Sequence, residues 1–300
     1  NQRLLAFEAD TGKVQWQRAF TETIDQLALD ATGRTIYAST VTGTLRALDQ
    51  TGAEQWSLDQ RATRLLPLPG GGVAVQQADQ LIGLAPTADR LWTVPLSGAI
   101  FDYVVERDRI LLTTTGDQAA LYALEAGQLT QLAEISGKIA LSRERVFVYN
   151  PTGLYGPNED AVELMLPLDD ARFADGQVVT ADDGTLLVAH RGYSDRRLIA
   201  LNPDGSLRWD RSVQGLGRSL PQLVKLGRQV YAVTSTGDVL LIDLATGESR
   251  RVFDGGGLTF LSGQPWAQVL PNGRLAFDFR GGRLIVLDPR AALPVMEVDQ

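Results

Sequence analysis

The chain has no cysteine, one histidine and two methionines among its 300 residues. The first absence excludes disulfides, thiolate metal sites and cysteine nucleophiles. It leaves the compartment open, because a chain this long can bury a large core without covalent staples. The lone histidine, His190, excludes multi-histidine centres such as catalytic zinc sites. No uninterrupted apolar run reaches the roughly 18 residues that a membrane-spanning helix needs, so membrane association is expected only through segments outside this chain. The start, Asn1-Gln2-Arg3-Leu4, has neither the basic nor the apolar region of a secretory signal. With no initiator Met, it points to a processed form or a piece of a longer protein. Lysine is scarce: Lys13, Lys138 and Lys225 stand beside 25 arginines. The 28 basic residues are outnumbered by 36 acidic ones, a net charge of −8, which argues against nucleic acid or anionic lipid as general partners.

Against these absences stand 44% apolar residues, 30 glycines and 13 prolines, enough for one repetitive fold or two ordinary domains. An internal repeat decides between them. Leu5-Ala6-Phe7-Glu8-Ala9-Asp10-Thr11-Gly12 leads to Trp16, Leu45-Arg46-Ala47-Leu48-Asp49-Gln50-Thr51-Gly52 to Trp56, and Leu198-Ile199-Ala200-Leu201-Asn202-Pro203-Asp204-Gly205 to Trp209. Weaker copies lie at 81–92, 121–125, 239–247 and 284–288, with a degenerate one at Leu154-Tyr155-Gly156-Pro157. Eight copies recur at a period of about 40 residues, the range of propeller blades. Each reads as four short strands. In residues 21–60 these are Ile24 to Leu29, Thr35 to Ser39, Leu45 to Leu48 and Gln55 to Leu58, parted by Gly33, Gly43 and Gly52. The expected fold is therefore an all-β single domain over 1–300, a β-propeller of four-stranded antiparallel blades. Residues 1–20 supply only the last two strands of a unit and seven complete units follow. Eight blades with an incomplete first one, either short or completed by sequence upstream of Asn1, fit this best; seven, with the N-terminal hairpin or a poorly formed unit near residues 140–168 displaced, is the alternative.

In the repeated element the glycine (Gly12, Gly52, Gly205, Gly247) is expected to supply a left-handed turn residue. The Asp or Thr oxygen satisfies turn amides, and the tryptophan (Trp16, Trp56, Trp92, Trp209) packs between neighbouring blades. These residues read as structural. They also make the chain resemble the quinoprotein-type, or PQQ-like, β-propeller repeat family, which includes barrel-assembly lipoproteins, quinoprotein dehydrogenases and extracytoplasmic sensor domains. The resemblance covers the whole chain. It implies a periplasmic or extracellular location and leaves activity open, since the family spreads one scaffold over unrelated functions. Its dehydrogenases are longer, with insertions that build a pyrroloquinoline-quinone pocket and a calcium site, and often carry adjacent cysteines. This chain has neither feature, so no catalytic residue and no metal site is assigned.

The longest loop expected on the rim is His190 to Arg197. Residues 190–228 concentrate eight basic side chains against three acidic ones, and arginines offer bidentate donors to carboxylates or phosphates. Arg191, Arg196, Arg197 and Arg218, with Trp266 as a stacking surface, are thus candidates for a small anionic ligand or a protein partner on the loop rim. The competing reading pairs these arginines with nearby acids. His190 could act as a general base, yet neither a nucleophile motif nor a paired acid accompanies it. Asp169-Asp170 and Asp182-Asp183 could ligate calcium, and turn chemistry explains them as well. The expected function is a non-enzymatic interaction scaffold or ligand-sensing domain requiring no cofactor. The alternative is a pyrroloquinoline-quinone-binding sensor or a dehydrogenase-like quinoprotein.

Overall fold

The computed structural model describes residues 2–8, 10–158, 161–168, 176–191, 196–212, 220–256, 267–270, 272–279, 283–288 and 293–299. All regular structure there is β. Blade 1 is the hairpin of β1 (Gln2–Phe7) and β2 (Val14–Phe20). Blade 2 is β3 (Ile24–Leu29), β4 (Thr35–Thr40), β5 (Thr44–Asp49) and β6 (Glu54–Asp59). Blade 3 is β7 (Arg64–Pro67), β8 (Val73–Gln77), β9 (Gln80–Leu84) and β10 (Arg90–Pro95). Blade 4 is β11 (Ile100–Glu106), β12 (Arg109–Thr114), β13 (Leu121–Glu125) and β14 (Gln128–Ala133). Blade 5 is β15 (Lys138–Ser142), β16 (Arg145–Asn150), β17 (Gly153–Asn158) and β18 (Ala161–Pro167). Blade 6 is β19 (Gln177–Thr180), β20 (Leu186–Arg191), β21 (Arg196–Leu201) and β22 (Leu207–Ser212). Blade 7 is β23 (Gln222–Leu226), β24 (Gln229–Val233), β25 (Val239–Ile242) and β26 (Ser249–Phe253). Blade 8 is β27 (Ala267–Val269), β28 (Leu275–Phe279), β29 (Arg283–Asp288) and β30 (Leu293–Asp299).

Within each sheet the strands are ordered as in the chain and neighbours run antiparallel, as in blade 2. Among the described residues there are thus eight sheets, seven of four strands and a two-stranded first one. The unit at 138–167, degenerate in sequence, forms a full blade. The chain divides into two compact units, Asn1–Glu8 with Lys13–Ile139, and Ala9–Gly12 with Ala140–Gln300.

Alternation along the strands sends one apolar face to the preceding blade and one to the next. In the first unit, Tyr37, Leu45 and Ala47 of blade 2 pack on Leu65, Val73 and Val75 of blade 3. Leu66, Ala74 and Leu81 of blade 3 pack on Ile110, Leu112 and Tyr122 of blade 4. In the second unit the same sandwiching joins blades 5 and 6, 6 and 7, and 7 and 8. Each fully buried leucine or valine contributes about 1.5–3 kcal/mol relative to exposure, so the interfaces carry most of the stability.

A polar set of contacts, absent from the repeat as read in sequence, fastens the inner parts of successive blades. Gln76 donates to Gly98 O and accepts from Ile100 N; Asp102 accepts from Ile139 N and Thr113 donates to Gly137 O. In the second unit Ser142 donates to Gly184 O at 2.6 Å. There too, Gln177 accepts from Leu223 N and Gln222 both donates to and accepts from Ala267.

The incomplete blade leaves a mark on its neighbour. Leu27 of β3 is 52% exposed, as is Leu29 on the same face, whereas Leu65 and Leu223, the counterparts of Leu27 in blades 3 and 7, are 3% and 5% exposed. Outer strands β1 and β2 still cover the rest of that face, through Phe20 and Leu4 against Ala38, Leu48 and Ile36.

Candidate functional site

The repeated motif behaves as its chemistry requires. Gly12, Gly52, Gly205 and Gly247 all have positive φ, from 66° to 90°. Asp49 Oδ1 accepts from Thr51 N, Thr51 Oγ1 and Ala53 N, and this network, led by the Thr51 hydroxyl, holds the Asp49 carboxyl below the usual carboxylate range. Asp204 and Asp243 do the same for Ser206 and for Ala245 and Thr246.

Each tryptophan then docks on the turn of the following blade. Trp16 Nε1 donates to Gln50 O at 2.6 Å, Trp56 Nε1 to Pro86 O at 2.6 Å and Trp209 Nε1 to Leu244 O at 2.8 Å. A Cβ on Gly52 would stand 2.8 Å from Trp16, and one on Gly247 2.9 Å from Trp209, so these turns need glycine twice over. In blade 5 Met165 replaces tryptophan and lies against Gly205.

The histidine is core, not rim. His190 is 1% exposed in β20, and its Nδ1 shares a 2.8 Å hydrogen bond with the Tyr149 hydroxyl, also buried. The segment expected as a loop is largely strand: β20 runs to Arg191 and β21 starts at Arg196. Residues 192–195 lie outside the described residues.

Most of the basic cluster is engaged within the fold. Arg197 makes a two-bonded ion pair with Asp210. Arg208 donates to Asn202 Oδ1 and lies 3.8 Å from Asp183. Arg211 donates twice to Thr246 O, on the turn that receives Trp209, and Lys225 pairs with Asp182 at 2.6 Å. Arg191 and Arg196 are opposite one another in the register of the β20–β21 pair. Arg218 and Trp266 fall outside the described residues, as do Asp169 and Asp170. Asp183 accepts from Thr185 N, the turn role; among the described residues no group of three or more acidic or histidine side chains could hold a metal ion.

Residues 1–85, 41–138 and 167–292 match the protein family described as outer membrane protein assembly factor BamB. Comparison with curated proteins gives no match. Among solved structures, BamB from Moraxella catarrhalis is 18% identical, with a TM-score of 0.64 over 91% of this chain and 92% of its own. Apo AztD from Citrobacter koseri is 14% identical, with a TM-score of 0.63 over 99% and 91%. The dihydro-heme d1 dehydrogenase NirN, in complex with DHE, is 13% identical, with a TM-score of 0.73 over 99% and 70%. At these identities the structural likeness establishes the propeller fold.

Proposed function

The chain belongs to the family described as outer membrane protein assembly factor BamB, and from that membership we propose that it is a non-enzymatic protein-interaction scaffold of the cell envelope. The observation that carries the reading is the register that sets Arg191 opposite Arg196 at the end of the β20–β21 pair; nearby, Arg197 and Arg208 make contacts within blade 6, and Arg211 and Lys225 join blades 6 and 7. An acidic segment of a partner protein is the chemistry that arginine side chains recognise, through charge-assisted hydrogen bonds to carboxylates.

A small anionic ligand would use the same pair. Of the arginines considered for the three carboxylates of pyrroloquinoline quinone, Arg197 is held by Asp210. No step is assigned to that cofactor.

Affinity capture from an envelope extract tests the reading. The wild-type chain is expected to retain a protein partner that 0.5 M salt releases, at roughly the point where screening cuts attraction to about 4 Å, and Arg191→Glu with Arg196→Glu is expected to lose it. Capture unchanged by the double substitution removes the hairpin tip from the interface. Micromolar binding of pyrroloquinoline quinone by calorimetry replaces the scaffold with a sensor.

A further inference from the structure

Trp92 departs from the pattern of its three counterparts. It makes no hydrogen bond among the described residues, whereas Trp16, Trp56 and Trp209 each donate to a backbone carbonyl of the next blade. Two sequence changes explain the difference. The turns that receive the other tryptophans span residues 50–53, 85–89 and 243–248, but the turn facing Trp92 is only Ala126-Gly127. Both residues have positive φ, 47° and 81°, the signature of a two-residue hairpin turn, and no carbonyl of this short turn accepts from Trp92 Nε1. The second change lies beneath the ring. Ala6, Ala47 and Ala200 pair with Trp16, Trp56 and Trp209, whereas Gly83 pairs with Trp92. A Cβ at Gly83 would collide with the Trp92 ring, which also lies 2.6 Å from where a Cβ of Gly127 would stand. The ring lies against the backbone at both glycines, and open space adjoins it.

That space is a pocket of about 480 Å³, walled by Leu68, Leu91, Trp92, Ile110 and Leu124. Leu91 at its lip is 56% exposed. Arg107, Asp108 and Glu125 ring the mouth with both signs of charge, so discrimination falls to the apolar interior and the indole N–H.

We propose that this pocket, between blades 3 and 4, is a recognition site for a short extended or turn segment of another protein, which inserts an apolar side chain and offers its backbone carbonyl to Trp92 Nε1. The molecule itself supplies the template three times over, in the carbonyls of Gln50, Pro86 and Leu244. An incoming peptide replaces the missing turn contact, and an apolar side chain packs on the apolar lining of the pocket. A hydrocarbon chain would fill the volume and leave the N–H unpaired, which is why the chemistry selects a peptide. The site is separate from the arginine pair and does not depend on it.

The test is selection of a random dodecapeptide phage library on the wild-type chain. Enriched peptides, resynthesised, are expected to bind with micromolar Kd, to lose at least tenfold on Leu91→Glu and severalfold on Trp92→Phe, and to ignore Arg191→Glu with Arg196→Glu. Leu91→Glu alters an exposed side chain and keeps the fold, so the test survives if Trp92→Phe does not fold. In 15N-tryptophan-labelled protein, peptide is expected to shift the indole resonance that Trp92→Phe deletes. Failure to enrich any sequence, indifference of the enriched peptides to Leu91→Glu, or shifts confined to other indoles would each overturn the proposal.

Discussion

Gly33 and Gly52 share the left-handed region, at φ +70° and +79°, and differ only in what surrounds them: a Cβ at Gly33 meets nothing within 4 Å, while one at Gly52 meets the Trp16 ring at 2.8 Å. Alanine at Gly33 therefore incurs the backbone penalty alone, about 1–2 kcal/mol. Alanine at Gly52 incurs that and a displaced tryptophan, for a total of roughly 3 kcal/mol or more. Urea denaturation of the two variants separates the terms, and equal losses would mean that Trp16 gives way at no expense. The sequence already pointed to this pair, because glycine and tryptophan recur at fixed spacing. It did not reveal which glycine each tryptophan meets, since that contact crosses to the next blade. Nor did it expose Trp92 as different, although Gly83 and the short Ala126-Gly127 turn were both in view; those departures gain meaning only beside the contacts they remove.

At the scale of strands, blade 2 shows why the reading succeeded. Its turns close on Gly33, Gly43 and Gly52, all with positive φ, and its strand limits fall within a residue or two of those expected from the turn residues. The glutamine latches were illegible, because a polar residue at a strand end looks like any exposed one until register places it beside the neighbouring backbone. Replacing Gln222 by Leu removes two hydrogen bonds to Ala267 and strands a backbone N–H and C=O, a loss of roughly 1–3 kcal/mol. Asn at Gln268, exposed on the adjoining strand, is expected to leave the urea midpoint unchanged. A parallel contrast concerns the short first blade: Leu65→Ala should destabilise by about 2–5 kcal/mol, whereas Leu27→Ser with Leu29→Ser should fall within about 1 kcal/mol of wild type. A large loss in the second case would mean that two further strands cover β3 in the protein as measured.

For the molecule as a whole, the turn carboxylates couple stability to pH. Hydrogen bonds from the Thr51 hydroxyl and from the Ser206 hydroxyl and N–H hold Asp49 and Asp204 below the ordinary carboxylate range. Burial pushes Asp183 up, but the Thr185 N–H and hydroxyl outweigh it and the net direction is also down. A carboxylate with a depressed folded pKa contributes its stability in full above the unfolded value near 4 and loses it as pH falls through the folded value. Two effects therefore act together under acid: the turns that receive Trp16 and Met165 lose their carboxylate acceptors, and the net charge swings from −8 towards the sum of 28 basic residues and one histidine. Asparagine at 49, 183 and 204 separates the two. It keeps an oxygen for the turn amides and removes the titration, while the general charge build-up at low pH remains. The triple variant is expected to be no more stable than wild type at pH 7 and to show a shallower decline of the urea midpoint between pH 5 and pH 2. A decline of the same slope in both proteins would assign acid unfolding to global repulsion and leave the turn carboxylates with a purely geometric role.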